Sequence, residues 1–234
     1  MISALQAKLA AAGIPHWRSG DVLLVNHDSL VVLPLIEPGT VDAVVTDAPY
    51  GINHAHHSET ERRLVRPIAG DEDQAAGIEA LSWAAEHNLP TIAFASPKAP
   101  WPGEWRGYLV WDKGPAVGGG GDTRTCLKQT WELIQVARNG PIQGPRDGAV
   151  ITHWVTPAIS ETHPSAKPVP LMERLVLTHS NPGDLVVDVF CGRGTTGVAA
   201  LMHGRRFRGC EVKPELAAEA NQRCVEAAEK ASAV

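Results

Sequence analysis

Closely spaced cysteines are missing from this sequence. Its 234 residues include four cysteines, and no two of them form a Cys-x-x-Cys pair. Zinc sites and disulfide frameworks depend on such pairs or on regular cysteine spacings, so the sequence predicts neither. Reduced thiols in a cytoplasmic protein are the expected state.

Long apolar runs are missing too. No stretch approaches the roughly 20 apolar residues that span a bilayer. The first residues also lack a basic segment followed by a short apolar one, which is the pattern of a secretory signal. We therefore expect a soluble protein without a membrane partner.

An excess of basic charge is the third absence. The formal net charge is −5, which argues against indiscriminate coating of nucleic acid, because phosphate binding needs lysine and arginine. A local basic face remains compatible with this charge. The polar segment 53–73 has no clear period and is predicted to be a loop. Its histidines, His54, His56 and His57, lack the cysteine or acidic partners of a familiar metal site, so no metal is expected.

Apolar strands and amphipathic helices alternate along the chain. This alternation predicts a single α/β domain over residues 1–234, with a mostly parallel sheet covered by helices on both faces. Helices are expected near residues 3–12, 30–35, 74–87, 168–178, 195–202 and 214–231. Strands are expected near residues 21–26, 42–46, 91–95, 107–111, 130–137, 185–190 and 207–211.

The stretch from Leu185 to Glu211 has the pattern of a nucleotide-binding unit. A compact apolar run leads into a turn that contains Gly192 and Gly194, and a predicted helix follows. Glycine allows positive φ and a close approach of the backbone to a ligand, and the free N–H groups of the helix face the turn. The next strand ends in Glu211, which is placed to accept hydrogen bonds from ribose hydroxyls.

A second motif, Asp47-Ala48-Pro49-Tyr50, directly follows the strand predicted at 42–46. Open α/β sheets place their chemistry at the carboxyl ends of strands, so these residues are candidates for catalysis. An ordinary turn above a packed tyrosine is the alternative.

Three separated segments together resemble the S-adenosylmethionine-dependent DNA amino-methyltransferases. They are Asp47-Ala48-Pro49-Tyr50, the segment HPSAKP at 163–168, and DVFCGRGT at 188–195 with Glu211. Their order is similar to the permuted β group of that family, many of whose small members are encoded by phages or restriction-modification systems. The resemblance covers about Asp21 to Arg223 and implies a Rossmann-like methyltransferase fold with circularly permuted motif order.

The resemblance implies a role for each matching residue. Asp28 would reach the adenine amino group of the cofactor, with helix capping as its alternative role, and Glu211 would hold the ribose hydroxyls. The cofactor-binding set implied for S-adenosylmethionine is Asp28, Ser165, Lys167, Pro168, Asp188, Phe190, Gly192, Gly194, Thr195 and Glu211. The catalytic set is Asp47, Ala48, Pro49 and Tyr50.

The implied chemistry explains the catalytic set. An exocyclic base amine is a poor nucleophile because its lone pair is delocalised into the ring. The Asp47 carboxylate and the Ala48 carbonyl would accept its two hydrogens and stabilise the charge that develops on nitrogen. Tyr50 would stack on the base, which has to leave the duplex to be reached.

One residue departs from the family pattern. Relatives usually have proline where this chain has Ala48, and alanine keeps the carbonyl but leaves φ freer. A catalytically weak relative that only binds cofactor or DNA therefore stays open as an alternative.

Residues for target recognition are few, and we expect a short or relaxed recognition sequence. Only about 114–161 is available as a recognition insertion. The expected partner is double-stranded DNA, and a homodimer would help a small chain to contact enough of it. The candidate DNA contacts are Arg62, Arg63, Arg66, Arg124 and Lys128, with Arg138 and Arg146 as further cations.

The acidic residue at position 47 favours adenine N6 as the target, because cytosine N4 enzymes of the family more often have serine there. Cytosine N4 remains the alternative. An NAD-dependent oxidoreductase would also use a glycine turn, and Gly197 matches the spacing of a third glycine. That function would leave Asp47 to Tyr50 without a purpose.

Overall fold

The computed structural model describes residues 4–51, 70–115, 127, 129–137, 143–144, 148–153 and 167–233. Helices lie on both sides of one nine-stranded sheet with the strand order β1-β2-β9-β8-β3-β4-β6-β5-β7. The strands are β1 (His16–Ser19), β2 (Val22–Asn26), β3 (Ala43–Thr46), β4 (Thr91–Ala95), β5 (Gly107–Asp112), β6 (Trp131–Ala137), β7 (Val150–Thr152), β8 (Leu185–Asp188) and β9 (Arg206–Glu211). The helices are α1 (Ala4–Ala11), α2 (Ser29–Val32), α3 (Ala75–Glu86), α4 (Val169–His179), α5 (Thr195–Met202) and α6 (Pro214–Ser232).

The sheet is parallel in its centre and mixed at its edges. β2, β9, β8, β3 and β4 are parallel neighbours, whereas β6 runs antiparallel to both β4 and β5. The predicted α/β class with helices on both faces is confirmed. Two strands were not predicted: β1 has only four residues with little apolar character, and β7 has three, so neither shows a measurable alternation.

Both faces of the sheet are packed, as the alternation along β2 shows. Val22 and Leu24 join a cluster with residues of α4, α5 and α6, while Leu23 and Val25 join a cluster with residues of α1, α2 and α3. Successive side chains of a strand point to opposite faces, and here both sets are completely or almost completely buried. A strand buried on both sides has a continuous apolar sequence, as β2 has.

The central strands end at one edge of the sheet. The parallel registers bring the ends of β2, β9, β8 and β3 side by side, and the antiparallel β6 begins at this edge. Thr46 at the end of β3 donates a hydrogen bond of 2.8 Å from Oγ1 to Oδ1 of Asp188 at the end of β8. The two motifs singled out in the sequence are thereby joined. No helix in the part of the chain described above is long and apolar enough to cross a membrane.

Candidate active site

The glycine-rich turn connects β8 to α5 and depends on backbone conformations that glycine favours. Gly192 has φ of 51° and Gly194 has φ of 75°. A Cβ on Gly194 would lie 3.0 Å from Cα and Cβ of Ala220 in α6, whereas a Cβ on Gly192 would meet no atom within 4 Å. The turn is therefore packed at Gly194 and open at Gly192. Thr195, the first residue of α5, is buried.

Asp188 supports this turn from below. Its carboxylate accepts hydrogen bonds from the hydroxyls of Thr46 and Thr196, at 2.8 and 2.6 Å, and from the Phe190 N–H at 3.1 Å. Burial raises the pKa of Asp188 to about 6, although these hydrogen bonds act in the opposite direction. Asp188 is only 2% exposed, and its carboxylate connects the ends of β3 and β8. A direct contact of Asp188 with cofactor stays a prediction.

Glu211 lies beside the open part of the turn. Its Oε2 accepts the Gly192 N–H at 3.0 Å and its Oε1 accepts the Lys213 N–H at 2.9 Å. A carboxylate has about four acceptor positions, so two remain for a ligand. Burial raises the pKa of Glu211 above its ordinary value, with the backbone donors opposing this shift.

Asp28 is the N-cap of α2. Its Oδ1 accepts the Leu30 N–H at 2.8 Å, so the capping role that we set against adenine binding is present. The other oxygen makes no hydrogen bond among the described residues, and its proposed contact with adenine stays a prediction. Asn26 ties this end of β2 to β9 through hydrogen bonds to the carbonyls of Glu211 and Val212.

Arg193, between the two glycines, anchors the turn to α6. Its guanidinium donates to Oε1 of Glu219 through Nε at 2.7 Å and also through Nη2. Its carbonyl accepts a hydrogen bond of 2.7 Å from Arg223 Nη1. Sequence reasoning missed this contact. The signal available was a cation inside the glycine motif with acids and a further arginine on the following helix.

The turn that was predicted to be catalytic, Asp47 to Tyr50, directly follows β3. Tyr50 donates from its hydroxyl to Oδ1 of Asp47 at 2.5 Å, and Lys167 Nζ donates to Oδ2 at 2.6 Å. Asp47 keeps 28% of its side chain exposed. Burial raises the pKa of Tyr50 well above its usual value, and the charge of Asp47 adds to this effect. Tyr50 is thus partly buried and bound to Asp47, and its stacking on a base stays a prediction.

The structure places Lys167 at the carboxylate of Asp47. We had predicted this residue, with Ser165 and Pro168, on the segment around the cofactor. Its Nζ lies 2.6 Å from Asp47 and 3.2 Å from Glu132 Oε2, and Pro168 is the N-cap of α4. Cofactor contacts of Lys167 and Pro168 stay predictions, and Ser165 lies outside the described residues.

Ala48 rests on a tightly packed apolar floor. It is 2% exposed and packs in a cluster with Trp101, Leu81, Ala93 and Ala95. Trp101 is held by a hydrogen bond of 2.6 Å from its Nε1 to the Phe94 carbonyl. Because alanine has no ring to fix φ, the Ala48 backbone depends on this packing for its position.

Gly77 of α3 makes room for this floor. A Cβ at that position would lie 2.4 Å from the Trp101 ring and 3.1 Å from the Ala48 Cβ. Gln135 of β6 also fixes the Trp101 backbone, because its Oε1 accepts the Trp101 N–H at 2.7 Å. Neither contact was predicted, since Gly77 and Trp101 are distant in sequence and belong to no motif.

The predicted DNA contacts fall outside the described residues. This applies to Arg62, Arg63, Arg66, Arg124 and Lys128, to the further cations Arg138 and Arg146, and to the three histidines of the polar loop. Most of the segment 114–161 is likewise not described. Among the residues that are described, no group of three or more His, Cys, Asp or Glu is arranged to hold a metal ion.

Comparisons with known proteins agree with this geometry. A family model described as DNA methylase matches residues 119–222. A segment of 55 residues is 49% identical to DNA adenine methyltransferase YhdJ of Escherichia coli (strain K12), covering 24% of this chain and 19% of that protein. Type II methyltransferase M2.DpnII of Streptococcus pneumoniae is 23% identical over 246 residues, which cover 86% of this chain and 88% of that protein.

A solved structure shows the same fold. The crystal structure of the M1.HpyAVI–SAM complex matches with a TM-score of 0.62 and 19% identity, covering 86% of this chain and 98% of that one. The family match extends over the cofactor motif, and the match to M2.DpnII covers most of the chain. Over residues 119–222 the chain matches the DNA methylase family, and the comparisons together support an S-adenosylmethionine-dependent DNA amino-methyltransferase.

Proposed function

We propose that this protein transfers a methyl group from S-adenosylmethionine to an exocyclic amine of a DNA base, namely the N6 amine of adenine. The observation that carries the proposal is the hydrogen bond of 2.8 Å between Thr46 and Asp188. It joins the strand that presents Asp47 to the strand that leads into the glycine-rich turn. A base amine at Asp47 and a cofactor on that turn would therefore be neighbours.

The residues of the turn fit S-adenosylmethionine. Space is open over Gly192, and the Glu211 carboxylate beside it keeps acceptor positions for ribose hydroxyls. The N-terminus of α5 adds free N–H groups on the same side. When bound, the cofactor supplies a methyl group on a positively charged sulfur, and transfer to the amine leaves a neutral thioether and releases one proton from nitrogen.

Asp47 and Ala48 would prepare the amine for attack. The carboxylate and the Ala48 carbonyl accept the two amine hydrogens, which favours a tetrahedral nitrogen and stabilises the positive charge that forms on it. Fixing amine and methyl group in line contributes much of the remaining rate. The apolar floor of Ala48 and Trp101 keeps the carbonyl in one position, because a close-packed interior resists small displacements.

Adenine is favoured as the target by Asp47 and by the curated relatives. An anionic acceptor at position 47 distinguishes this site from one with serine, and the name of the relative YhdJ specifies adenine. The substrate would be double-stranded DNA from which the base is extruded. Tyr50, next to Asp47, would then be free to leave its hydroxyl contact and face the base.

Two assays on the purified protein test this proposal. Isothermal titration is expected to show binding of S-adenosylmethionine and no binding of NAD, and Asp47→Ala is expected to keep the cofactor affinity. Transfer of labelled methyl groups to double-stranded DNA is expected for the natural sequence and not for Asp47→Ala. Full transfer by Asp47→Ala would refute the mechanism, and binding without transfer to any DNA would identify a binding-only relative.

We further propose that the protein works in the cytoplasm as a homodimer. Leu30 and Val31 of α2 and Ile78 of α3 are exposed by 39%, 46% and 37%, and a second copy would cover them. Analytical ultracentrifugation of the natural sequence and of Val31→Lys tests this part. A monomer in both cases would remove the homodimer from the proposal.

A further inference from the structure

Four groups of alternating charge form a chain at the carboxyl edge of the sheet. Lys113 Nζ lies 3.0 Å from Glu132 Oε1, Glu132 Oε2 lies 3.2 Å from Lys167 Nζ, and Lys167 Nζ lies 2.6 Å from Asp47 Oδ2. The side chains are exposed by 12% at Lys167, by 18% at Lys113, by 20% at Glu132 and by 28% at Asp47. Of the four, Asp47 is assigned to the target amine and Lys167 to a predicted cofactor contact, whereas Lys113 and Glu132 have no assigned role.

Each member comes from a different part of the fold. Lys113 follows β5, Glu132 lies near the start of β6, and Lys167 precedes α4. Lys167 Nζ also lies 4.7 Å from the centre of the Phe94 ring, which limits its movement on that side. Its two acidic neighbours therefore define the positions that the ammonium group can take.

The carboxylates of Asp47 and Glu132 make different contacts with the Lys167 ammonium group. Asp47 Oδ2 accepts a short hydrogen bond from it. Glu132 Oε2 is inaccessible to solvent and has only a longer ion-pair contact with Nζ, at 3.2 Å, whose alignment does not make it a good hydrogen bond. Hydrogen bonds weaken steeply as their alignment worsens, so this contact leaves part of its possible stabilisation unused. Glu132 thus holds an acceptor position that a small movement of Lys167 would fill.

The ammonium group opposes the proposed reaction where it now lies. Positive charge develops on the base nitrogen during transfer, and Asp47 can stabilise that charge only to the extent that its own charge is not neutralised by Lys167. Loss of a proton would not solve this problem. Burial alone would lower the pKa of Lys167, but Asp47 and Glu132 outweigh it and hold the pKa above its usual value.

We propose that Glu132 is a positioning residue that draws the Lys167 ammonium away from Asp47 when the target amine binds there. This inference rests on the proposed function. In the free protein, Lys167 neutralises Asp47 and keeps the carboxylate oriented. When the amine arrives, Lys167 moves to Glu132 Oε2, and Asp47 faces the amine with its full charge.

Glu132→Gln tests the inference with little change in shape. Without the charge at Glu132, Lys167 stays on Asp47, and the single-turnover rate of methyl transfer is expected to fall 10- to 100-fold. The affinity for S-adenosylmethionine is expected to stay within twofold of the natural value. Glu173→Gln is the matched control, because Glu173 of α4 pairs with His203 at 3.1 Å and not with a member of the charged chain, and its rate is expected to be unchanged.

The double variant Glu132→Gln/Lys167→Met gives the most specific result. It removes the ammonium group that Glu132→Gln leaves on Asp47, so its transfer rate is expected to be higher than that of the single variant. If the two substitutions only damaged the structure, their effects would add, and the double variant would be slower than the single variant. A double variant as slow as Glu132→Gln or slower, or a single variant with the natural rate, would overturn the inference.

A thermal-unfolding cycle separates this inference from the proposed function. If Lys167 pairs with Glu132 in the free protein, the melting temperatures of Glu132→Gln, Lys167→Met and the double variant are not additive, whether or not the protein transfers methyl groups. If the melting temperatures are not additive but the natural sequence transfers no methyl group, the proposed function is refuted, whereas the ion pair between Glu132 and Lys167 is retained. Additive melting temperatures would refute the role of Glu132.

Discussion

Gly192 and Gly194 lie two residues apart in the same turn. We expect Gly194→Ala to lower the stability more than Gly192→Ala does, and Gly192→Ala to lower the cofactor affinity more than Gly194→Ala does. Both residues have positive φ, which costs an alanine roughly 1–2 kcal/mol. At Gly192 nothing else is added, because the space around a new Cβ is open. We expect Gly192→Ala to lose about 1–2 kcal/mol of unfolding free energy.

Gly194→Ala adds a second cost. Its Cβ would lie 3.0 Å from both Cα and Cβ of Ala220, and overpacking of this kind costs about 1–3 kcal/mol. The total loss is expected to be about 2–5 kcal/mol. Each kcal/mol lowers the melting temperature of a protein of this size by roughly 2–4 °C, so differential scanning fluorimetry can rank the two variants.

Cofactor affinity is expected to rank them in the other direction. The new Cβ of Gly192→Ala enters the open space beside Glu211, where the cofactor would lie, so binding of S-adenosylmethionine should weaken at least tenfold, which is about 1.4 kcal/mol. The Cβ of Gly194→Ala points at α6, and this variant should bind more tightly than Gly192→Ala at a temperature where both are folded. Equal effects on stability and on affinity would refute the assignment of a packed and an open side to the turn.

Three further changes test other contacts of the site. Burial raises the pKa of Asp188 from 3.8 to about 6, so between these pH values the native state binds more protons than the unfolded state. The contribution of Asp188 to stability therefore falls as the pH rises through this range, and Asp188→Asn should remove that part of the pH dependence. Urea unfolding between pH 4 and 7 measures this, and an unchanged slope would contradict it. Gly77→Ala should displace Trp101 and lower the transfer rate at least tenfold with unchanged cofactor affinity, as single-turnover kinetics can show; normal transfer would mean that the floor under Ala48 is unimportant. Arg193→Met should weaken cofactor binding about threefold to tenfold by releasing the turn from Glu219, while the hydrogen bond of Arg223 to the backbone carbonyl of residue 193 remains. Unchanged affinity in a titration would show that the turn keeps its conformation without the Glu219 contact.

The fold could be predicted where the sequence has strong local patterns. The helix at 195–202 and the strand at 91–95 have the predicted limits, because their apolar runs end at glycine, proline or polar residues. β1 and β7 were missed, since three or four residues carry too little periodicity. The mixed outer part of the sheet was also missed, because strand direction depends on long-range pairing that no local pattern expresses.

The site shows the same division. The positions of Asp47, Gly192, Gly194 and Glu211 at the strand ends and in the turn could be predicted because they belong to short motifs, and their roles stay predictions. The contact of Lys167 with Asp47 spans 120 positions, and Glu132 belongs to no motif at all. Such contacts follow from which strand ends lie together, and only the folded chain shows that.

Nucleoside mass spectrometry tests the central claim most directly. Plasmid DNA would be isolated from a host without its own methylases after expression of the natural sequence or, in parallel, of Asp47→Ala. The account predicts N6-methyladenine with the natural sequence and none with Asp47→Ala. N4-methylcytosine in its place would contradict the assignment of adenine and keep the mechanism. No modified base with the natural sequence, or equal modification with both proteins, would contradict the account itself.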